Sequence, residues 1–400
     1  MRKNILAIFN LQGLGRSLRG CWVSQAEVVL VFGDSHRARC PRCGCGTRGL
    51  HARGKYRAVY HGVGFEKKVW LVLRNNRYWC PRCRLPFTEV GTMIRFRQRR
   101  TKAAERAIIE ALRGRSFKSV AEREGISYGV SARILRRCLD PERVSWPAEG
   151  EIALGIDGHS FRGTRMVNTI TDVRARRSLT VLPDSRKKSL KRFLKEIPEE
   201  TKARIQEVCI DMDSMLQAAV EEELPQAAVV VDHFHVVYDA NRRVDEARKI
   251  EQEAAHRDIP RKLFLLGQEK LRPKEKARLK EYLRLYPSLK EFYWMKEQIR
   301  AFYRLKSKTA AKRRLKDLVE IARLSDDAAM VQWGRSLKRW GPHILNFFDH
   351  RTTNAYTEGI HTKIKMIKRV SFGFRNVDIY IRKILLCVWP LALILPCLPH

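Results

Sequence analysis

Residues 151–157 read EIALGID, and this stretch decides the fold. A short apolar run that stops at an acid reads as a buried strand whose last residue is Asp157. Working outward, TRMVNTITDV (164–173) and RRSLTVLP (176–183) continue as second and third strands. KKSLKRFLKEI (187–197) has the spacing of an amphipathic helix, RIQEVCID (204–211) of a strand, DSMLQAAVEEEL (213–224) of a helix and AAVVVD (227–232) of a strand. The expected fold class is therefore α/β, within a multidomain chain. From about residue 236 to 350 the pattern is basic and almost wholly helical. Over about 352–390 the chain returns to one helix carrying Glu358 and a further apolar helix.

Upstream, SWPAEGE (145–151) reads as a linker. In the first 95 residues, β-like stretches such as AEVVLVFGD (26–34) and KKVWLVLRNNRYWC (67–80) interleave with two CPRC motifs. A two-residue gap lets both thiolates of a pair face one ion, and two pairs complete a tetrahedron. Cys40, Cys43, Cys80 and Cys83 therefore point to structural Zn²⁺. Cys45 and His51 lie close enough to replace a ligand. Paired knuckles fit a reducing compartment, not a disulfide scaffold. Cys21, Cys138, Cys209, Cys387 and Cys397 sit in apolar surroundings and read as small core residues.

The chain has 400 residues, with 80 Lys and Arg against 43 Asp and Glu, a net charge of +37. An apolar fraction of 44% excludes a basic disordered tail. Such a charge asks for a polyanion, nucleic acid before an anionic membrane surface. MRKNILAIFNLQGLGRS at the N-terminus lacks the long apolar core of a signal peptide. ILLCVWPLALILPCLP (384–399), broken by Pro390 and Pro396, reads as a buried helix and tail and not a membrane span. A cytoplasmic, nucleoid-associated protein is expected.

Residues 103–139 parse as three short helices. SVAEREG (119–125) followed by ISYGVSARILRRC (126–138) has the form of a helix-turn-helix with Gly125 at the turn. Ala121, Ile126, Val130 and Ile134 would make its small core. Its second helix, with Arg133, Arg136 and Arg137, would enter the major groove of double-stranded DNA. The basic arm MIRFRQRRTK (93–102), with Arg95, Arg97, Arg99 and Arg100, suits the minor groove or phosphates.

Asp157 precedes GHSFRG, which reads as a turn, so it is either a rigidly placed ligand or a turn cap. Asp213 or Ser214 is placed to cap the next helix, which leaves Asp211 as the better ligand. On a helical wheel Ile360, Ile364 and Ile367 form an apolar stripe. Glu358 falls opposite, with His361, Thr362, Lys365 and Arg369. A lone acid on that basic face, which Lys368 extends, can hold a divalent ion and the flanking DNA phosphates together. Asp232 and His235 end the last strand, as a third carboxylate or as a supporting pair beside a metal.

Together, CPRC…CPRC, GIDGHSFRG, VCIDM, LPQAAVVVDHFHVVYDANRRVDEAR and TTNAYTEGIHTKIKMIKRVSFGFRNVDIYIRKIL resemble the DDE-type transposases of bacterial insertion sequences, in particular the ISL-three group (ISL3). The resemblance reaches from the cysteine knuckles to about residue 385. It implies a ribonuclease-H-like catalytic core interrupted by a long all-α insertion. The expected layout is a zinc-binding module (1–95), a helix-turn-helix (96–145), the first part of the core (146–240), a helical insertion (241–350), and the last part of the core with an apolar tail (351–400). The resemblance assigns a triad of Asp157, Asp211 and Glu358, holding two Mg²⁺ or Mn²⁺ ions, with Asp232 and His235 as a companion pair. The implied activity is recognition of terminal inverted repeats, metal-dependent end cleavage and strand transfer into target DNA, by a homodimer or larger assembly. Other expectations are a non-catalytic DNA-binding regulator or decayed transposase, and a structure-specific nuclease.

Overall fold

The apolar stretches around the CPRC motifs form the first sheet of the computed structural model, which describes residues 2–35, 37–89, 93–95 and 98–394. Strands β1 (Leu18–Val23), β2 (Glu27–Phe32), β3 (Tyr56–Gly64) and β4 (Lys67–Arg74) lie in the order β1-β2-β4-β3. Alternate residues, Val28, Leu30 and Phe32 with Val69, Leu71 and Leu73, share one core, as period-2 alternation dictates. Strand β1 is an edge, and Cys21 on it is exposed, so the expectation that it is a core residue fails. Cys138 and Cys209 are buried, Cys387 is half-buried, and Cys397 lies outside the described residues. Strands β5 (Arg77–Cys80) and β6 (Leu85–Thr88) join a small cluster around the cysteines.

Three helices follow: α1 (Lys102–Gly114), α2 (Phe117–Glu124) and α3 (Tyr128–Cys138). Each starts at a hydroxyl that accepts a backbone N–H of the first turn, from Thr101, Ser116 and Ser127. Gly125 ends α2 in the left-handed region at φ 62°. Helix α2 turns Phe117, Val120 and Glu124 inward, so Ala121, Ile126 and Val130 are only half-buried while Ile134 is buried. These elements and a helix over Val377–Val388 belong to one compact unit, Met1–Arg143 with Ile364–His400; the other is Val144–Lys363.

The second unit holds β7 (Ile152–Arg162), β8 (Arg165–Asp172), β9 (Arg177–Val181), α4 (Lys187–Lys195), β10 (Ile205–Ile210), α5 (Ser214–Glu223), β11 (Ala228–Val231) and α6 (His233–Ala255). The sheet order is β9-β8-β7-β10-β11; β7, β8 and β9 are antiparallel, and β10 and β11 run parallel to β7. One expectation is corrected. Strand β7 does not end at Asp157, and GHSFRG is not a turn. Asp157 pairs with Thr169 inside the ladder, which continues to Ser160 opposite Met166. The chain reverses only at Gly163, φ 56°. Asp157 therefore cannot be a turn cap.

Alternation divides this sheet. Ile152, Leu154, Ile156, Ile170, Val208 and Ile210 meet Leu190, Leu194, Leu216 and Val220 of α4 and α5 in one core. The other face carries Gly155, Asp157 and Thr169. From His233 to His350 every element is helical, including α7 (Pro287–Phe302), α8 (Lys308–Arg323) and α9 (Ala328–His350), around a core with Trp333 and Phe302. Helix α10 (Ala355–Val370) follows. Among the described residues no helix is long and apolar enough to cross a membrane.

Candidate active site

Gly155, Cys209 and Val230 are register partners across β7, β10 and β11. Two residues further along, each strand returns to the same face. The ladder extends that far, because the Asp232 N–H donates to the Ile210 carbonyl at 3.0 Å. Asp157, Asp211 and Asp232 thus form a row on one face, with neighbouring strands about 5 Å apart.

Helix α10 is docked over this row by polar anchors. Asn354, fully buried, donates through Nδ2 to the carbonyls of Ile156 (3.3 Å) and Cys209 (3.4 Å). The Thr357 and Thr171 hydroxyls are hydrogen-bonded at 2.7 Å. Gly155 makes the approach possible, since a Cβ there would lie 2.5 Å from Asn354 Oδ1 and 2.7 Å from Thr171 Oγ1. Glu358 follows Thr357 and reaches the acids. Ligand atoms of Asp157, Asp211 and His235 lie within 4.8 Å of one another, and so do those of Asp232, His235 and Glu358. His235 is common to both groups.

Local structure places the partners. Asp232 caps α6, accepting the Phe234 N–H at 3.3 Å, and so sets His235 in the first turn. Asp213 caps α5, accepting from Met215 (2.7 Å) and Leu216 (3.3 Å). Asp211 is left facing His235, whose Nε2 lies 2.9 Å from its Oδ1.

The acids are crowded, and Asp157 and Asp232 are buried while Asp211 and Glu358 are half-buried. Asp157 is 5% exposed; burial first, then the Asp211 charge, raises its pKa to about 7. Burial, then the Asp232 charge, raises Glu358. Burial lowers His235, but the Asp211 contact and the charges of Asp157 and Asp232 outweigh it and raise the imidazole. Asp211 Oδ1, Asp232 Oδ2 and His235 Nε2 are buried without a well-aligned hydrogen bond, the 2.9 Å contact included. Unsatisfied carboxylate oxygens facing one another are costly alone and suit a hard divalent cation. The donor set fits such an ion.

Sequence reasoning gave His361 no role and set it on the basic face of α10. The structure corrects this: it is buried, with Nδ1 3.3 Å from Asp157 Oδ2 and Nε2 3.1 Å from Thr169 Oγ1, which also lies 3.1 Å from His159 Nδ1. Asn354, just before α10, and Thr357, Ile360, His361 and Ile364 on it form a buried stripe at helical spacing. Its polar members carry no apolar signal in the sequence.

The transposase family model of the DDE ISL3 group matches residues 154–384, more than half of the chain. The protein is an ISL3-family transposase. The transposase is also 26% identical over 361 residues to the transposase for insertion sequence element IS1001 of Bordetella parapertussis, covering 86% of this chain and 87% of that relative. The family match contains all the acids above. Transposases of this family are DNA-processing enzymes, and DDE transposases use divalent metals.

Elsewhere in the transposase, the four CPRC thiols converge. Cys40 and Cys83 Sγ are 4.0 Å apart, Cys43 and Cys80 3.5 Å, and all four lie within 4.8 Å. The two knuckles match: Gly44 N–H donates to Cys40 O and Arg84 N–H to Cys80 O, both at 2.9 Å, with Gly44 (φ 70°) and Arg84 (φ 52°) left-handed. Cys45 instead donates to Gly46 O at 3.7 Å, and the His51 ring lies against Trp79 at 6.0 Å. The Cys83 N–H pulls the Cys80 thiol down to about 7, while hydrogen bonding with Cys43 pushes Cys83 up to about 12. Four converging sulfurs fit one soft tetrahedral ion.

The basic residues have different surroundings. Arg133 is exposed and has no ion pair among the described residues. Arg136 pairs with Asp378 at 2.8 Å, and Arg137 with Glu105. Lys365 and Arg369 are exposed, Lys368 is half-buried, and Arg97 lies outside the described residues.

Proposed function

We propose that this transposase binds the terminal inverted repeats of its insertion sequence, cuts the DNA ends, and joins the freed 3′-hydroxyl to target DNA, with Asp157, Asp211 and Glu358 as the catalytic carboxylates. The row of acids under α10 carries this reading. The sheet order, three antiparallel strands continued by two parallel ones, supports a ribonuclease-H-like core interrupted by the helical stretch 241–350. Asp157, Asp211 and Glu358 would hold two Mg²⁺ or Mn²⁺ ions. When bound, these supply a lowered pKa for the attacking hydroxyl and offset charge on the scissile phosphate.

The chain's own groups do the rest. His361, backed by Thr169, fixes the Asp157 carboxylate. Asp232 orients α6, and His235 holds Asp211 in place. Zn²⁺ in the four-cysteine knuckles shapes the N-terminal module (1–95). Helices α2 and α3 act as a helix-turn-helix (within 96–145) in which Arg133 faces DNA, while Arg136 and Arg137 brace α3 through their ion pairs. Arg97, Arg99, Arg100, Lys365, Lys368 and Arg369 contact phosphates, and the basic helices clamp flanking DNA. Joining two ends calls for a dimer or larger assembly on DNA, in the cytoplasm at the nucleoid.

The test is a donor DNA carrying the matching ends, incubated with Mg²⁺ or Mn²⁺. The native protein is expected to cleave and join. Asp157→Ala and Glu358→Ala should bind the ends normally and lose both steps by at least about 10³-fold. Cleavage by the variants at the native rate would refute the triad. Cleavage without joined product would favour a nuclease.

A further inference from the structure

The N-terminal unit contains a second cationic feature. The segment leading into α1 runs alongside β3: the Tyr60 N–H donates to Arg99 O and the Thr101 N–H to Tyr60 O, both at 2.9 Å. This pairing lays Arg99 and Arg100 beside Arg57 of β3. Arg57, Arg99 and Arg100 line a cavity of about 410 Å³ that Tyr60 and Trp70 also line, and that reaches the Gly125 turn between α2 and α3.

The charges around this cavity are not balanced. Arg57 spends Nη1 on the Gln98 carbonyl at 3.3 Å, but its Nε and Nη2 are buried without a partner, as is Nε of Arg100. The acid lining the cavity, Glu124, is taken by the Tyr60 hydroxyl at 2.8 Å and by Arg123 at 3.6 Å. Glu105, whose charge Arg100 also feels, is paired with Arg137 and Arg95. Burial and neighbouring arginines lower the pKa of both Arg57 and Arg100. Orphaned guanidinium N–H groups in a partly desolvated pocket cost free energy unless an anion accepts them. A tetrahedral phosphate, with several acceptor oxygens, suits this fork geometry.

We propose that Arg57, Arg99 and Arg100 form a seat for one backbone phosphate of bound duplex DNA, beside the turn that leads into α3. It rests on the DNA-binding reading above and adds Arg57, a strand residue outside the basic arm 93–102. A phosphate held here fixes the register of α3 on the duplex and carries no base information.

The experiment uses the full-length, zinc-loaded protein and two duplexes, one with the terminal repeat and one unrelated. Affinity is measured against salt concentration. Arg57→Gln should weaken both duplexes alike, by about three- to tenfold, and reduce the slope of log affinity against log salt by about one. Its melting temperature should change little, because only Nη1 of the guanidinium it removes is hydrogen-bonded, at 3.3 Å to the Gln98 carbonyl, while Nε and Nη2 are unpaired. Native affinity and slope in the variant would overturn the seat; so would a loss confined to the terminal repeat. If Arg57→Gln does not fold, Arg100→Gln carries the same expectations. Cleavage by the native protein is a separate readout. Normal cleavage with unchanged salt slopes sinks the phosphate seat alone, and absent cleavage with Arg57-dependent binding sinks the catalytic reading alone.

Discussion

Asp157 concentrates the tension of the site in one residue. Its folded pKa of about 7 exceeds the ordinary 3.8, so between those values the folded state keeps a proton that the unfolded chain has released. Stability of the metal-free protein therefore falls as pH rises through that window. Asp157→Asn removes the cost and should stabilise the metal-free protein at pH 8 by about 1–3 kcal/mol, with little effect at pH 4. Urea unfolding at the two pH values checks this; equal effects at both would contradict it. A divalent ion must displace the same proton. Mg²⁺ or Mn²⁺ should therefore raise the melting temperature more at pH 8 than at pH 5.5.

At the scale of elements, the site depends on how closely α10 approaches β7. Gly155 permits that approach, and the atoms a Cβ would meet belong to Asn354, Val173 and Thr171, which are short and held by the sheet. Gly155→Ala should cost about 1–3 kcal/mol and lift Glu358 off the acids. End cleavage should drop far more than DNA affinity, and a variant with native cleavage would show that α10 tolerates the shift. The element also shows where sequence patterning misleads. Asn354, Thr357 and His361 form a buried stripe that an apolar count does not see, because their hydrogen bonds, and not hydrophobicity, bring them inside. Capping was more legible: Asp213 before SMLQ predicts its N-cap role, which leaves Asp211 facing His235.

At the scale of the whole molecule, the two compact units hold separate apolar cores, and the cysteine cluster serves only the first. Removing the thiolates should therefore act locally. Cys40→Ser/Cys80→Ser, or a strong chelator, should release one Zn²⁺ per chain and lower one thermal transition by several degrees. The transition of the α/β unit should keep its midpoint. Unchanged zinc content in the double variant would remove the proposed ligands. A shift of both transitions together would mean that the cores melt as one.

The sequence alone determined the α/β character of residues 151–232, the helical stretch after it, the paired cysteines and the acids worth testing, because strand and helix periods, caps and knuckle spacing are local properties. It misplaced the end of β7, because a strand ends where its partner's ladder ends, and that partner is β8. Tertiary structure alone decided which acids are neighbours. Register across three parallel strands aligns Asp157, Asp211 and Asp232, and the docking of α10 adds Glu358 and turns His361 inward. Those are long-range pairings between segments up to about two hundred residues apart, and no local pattern encodes their register.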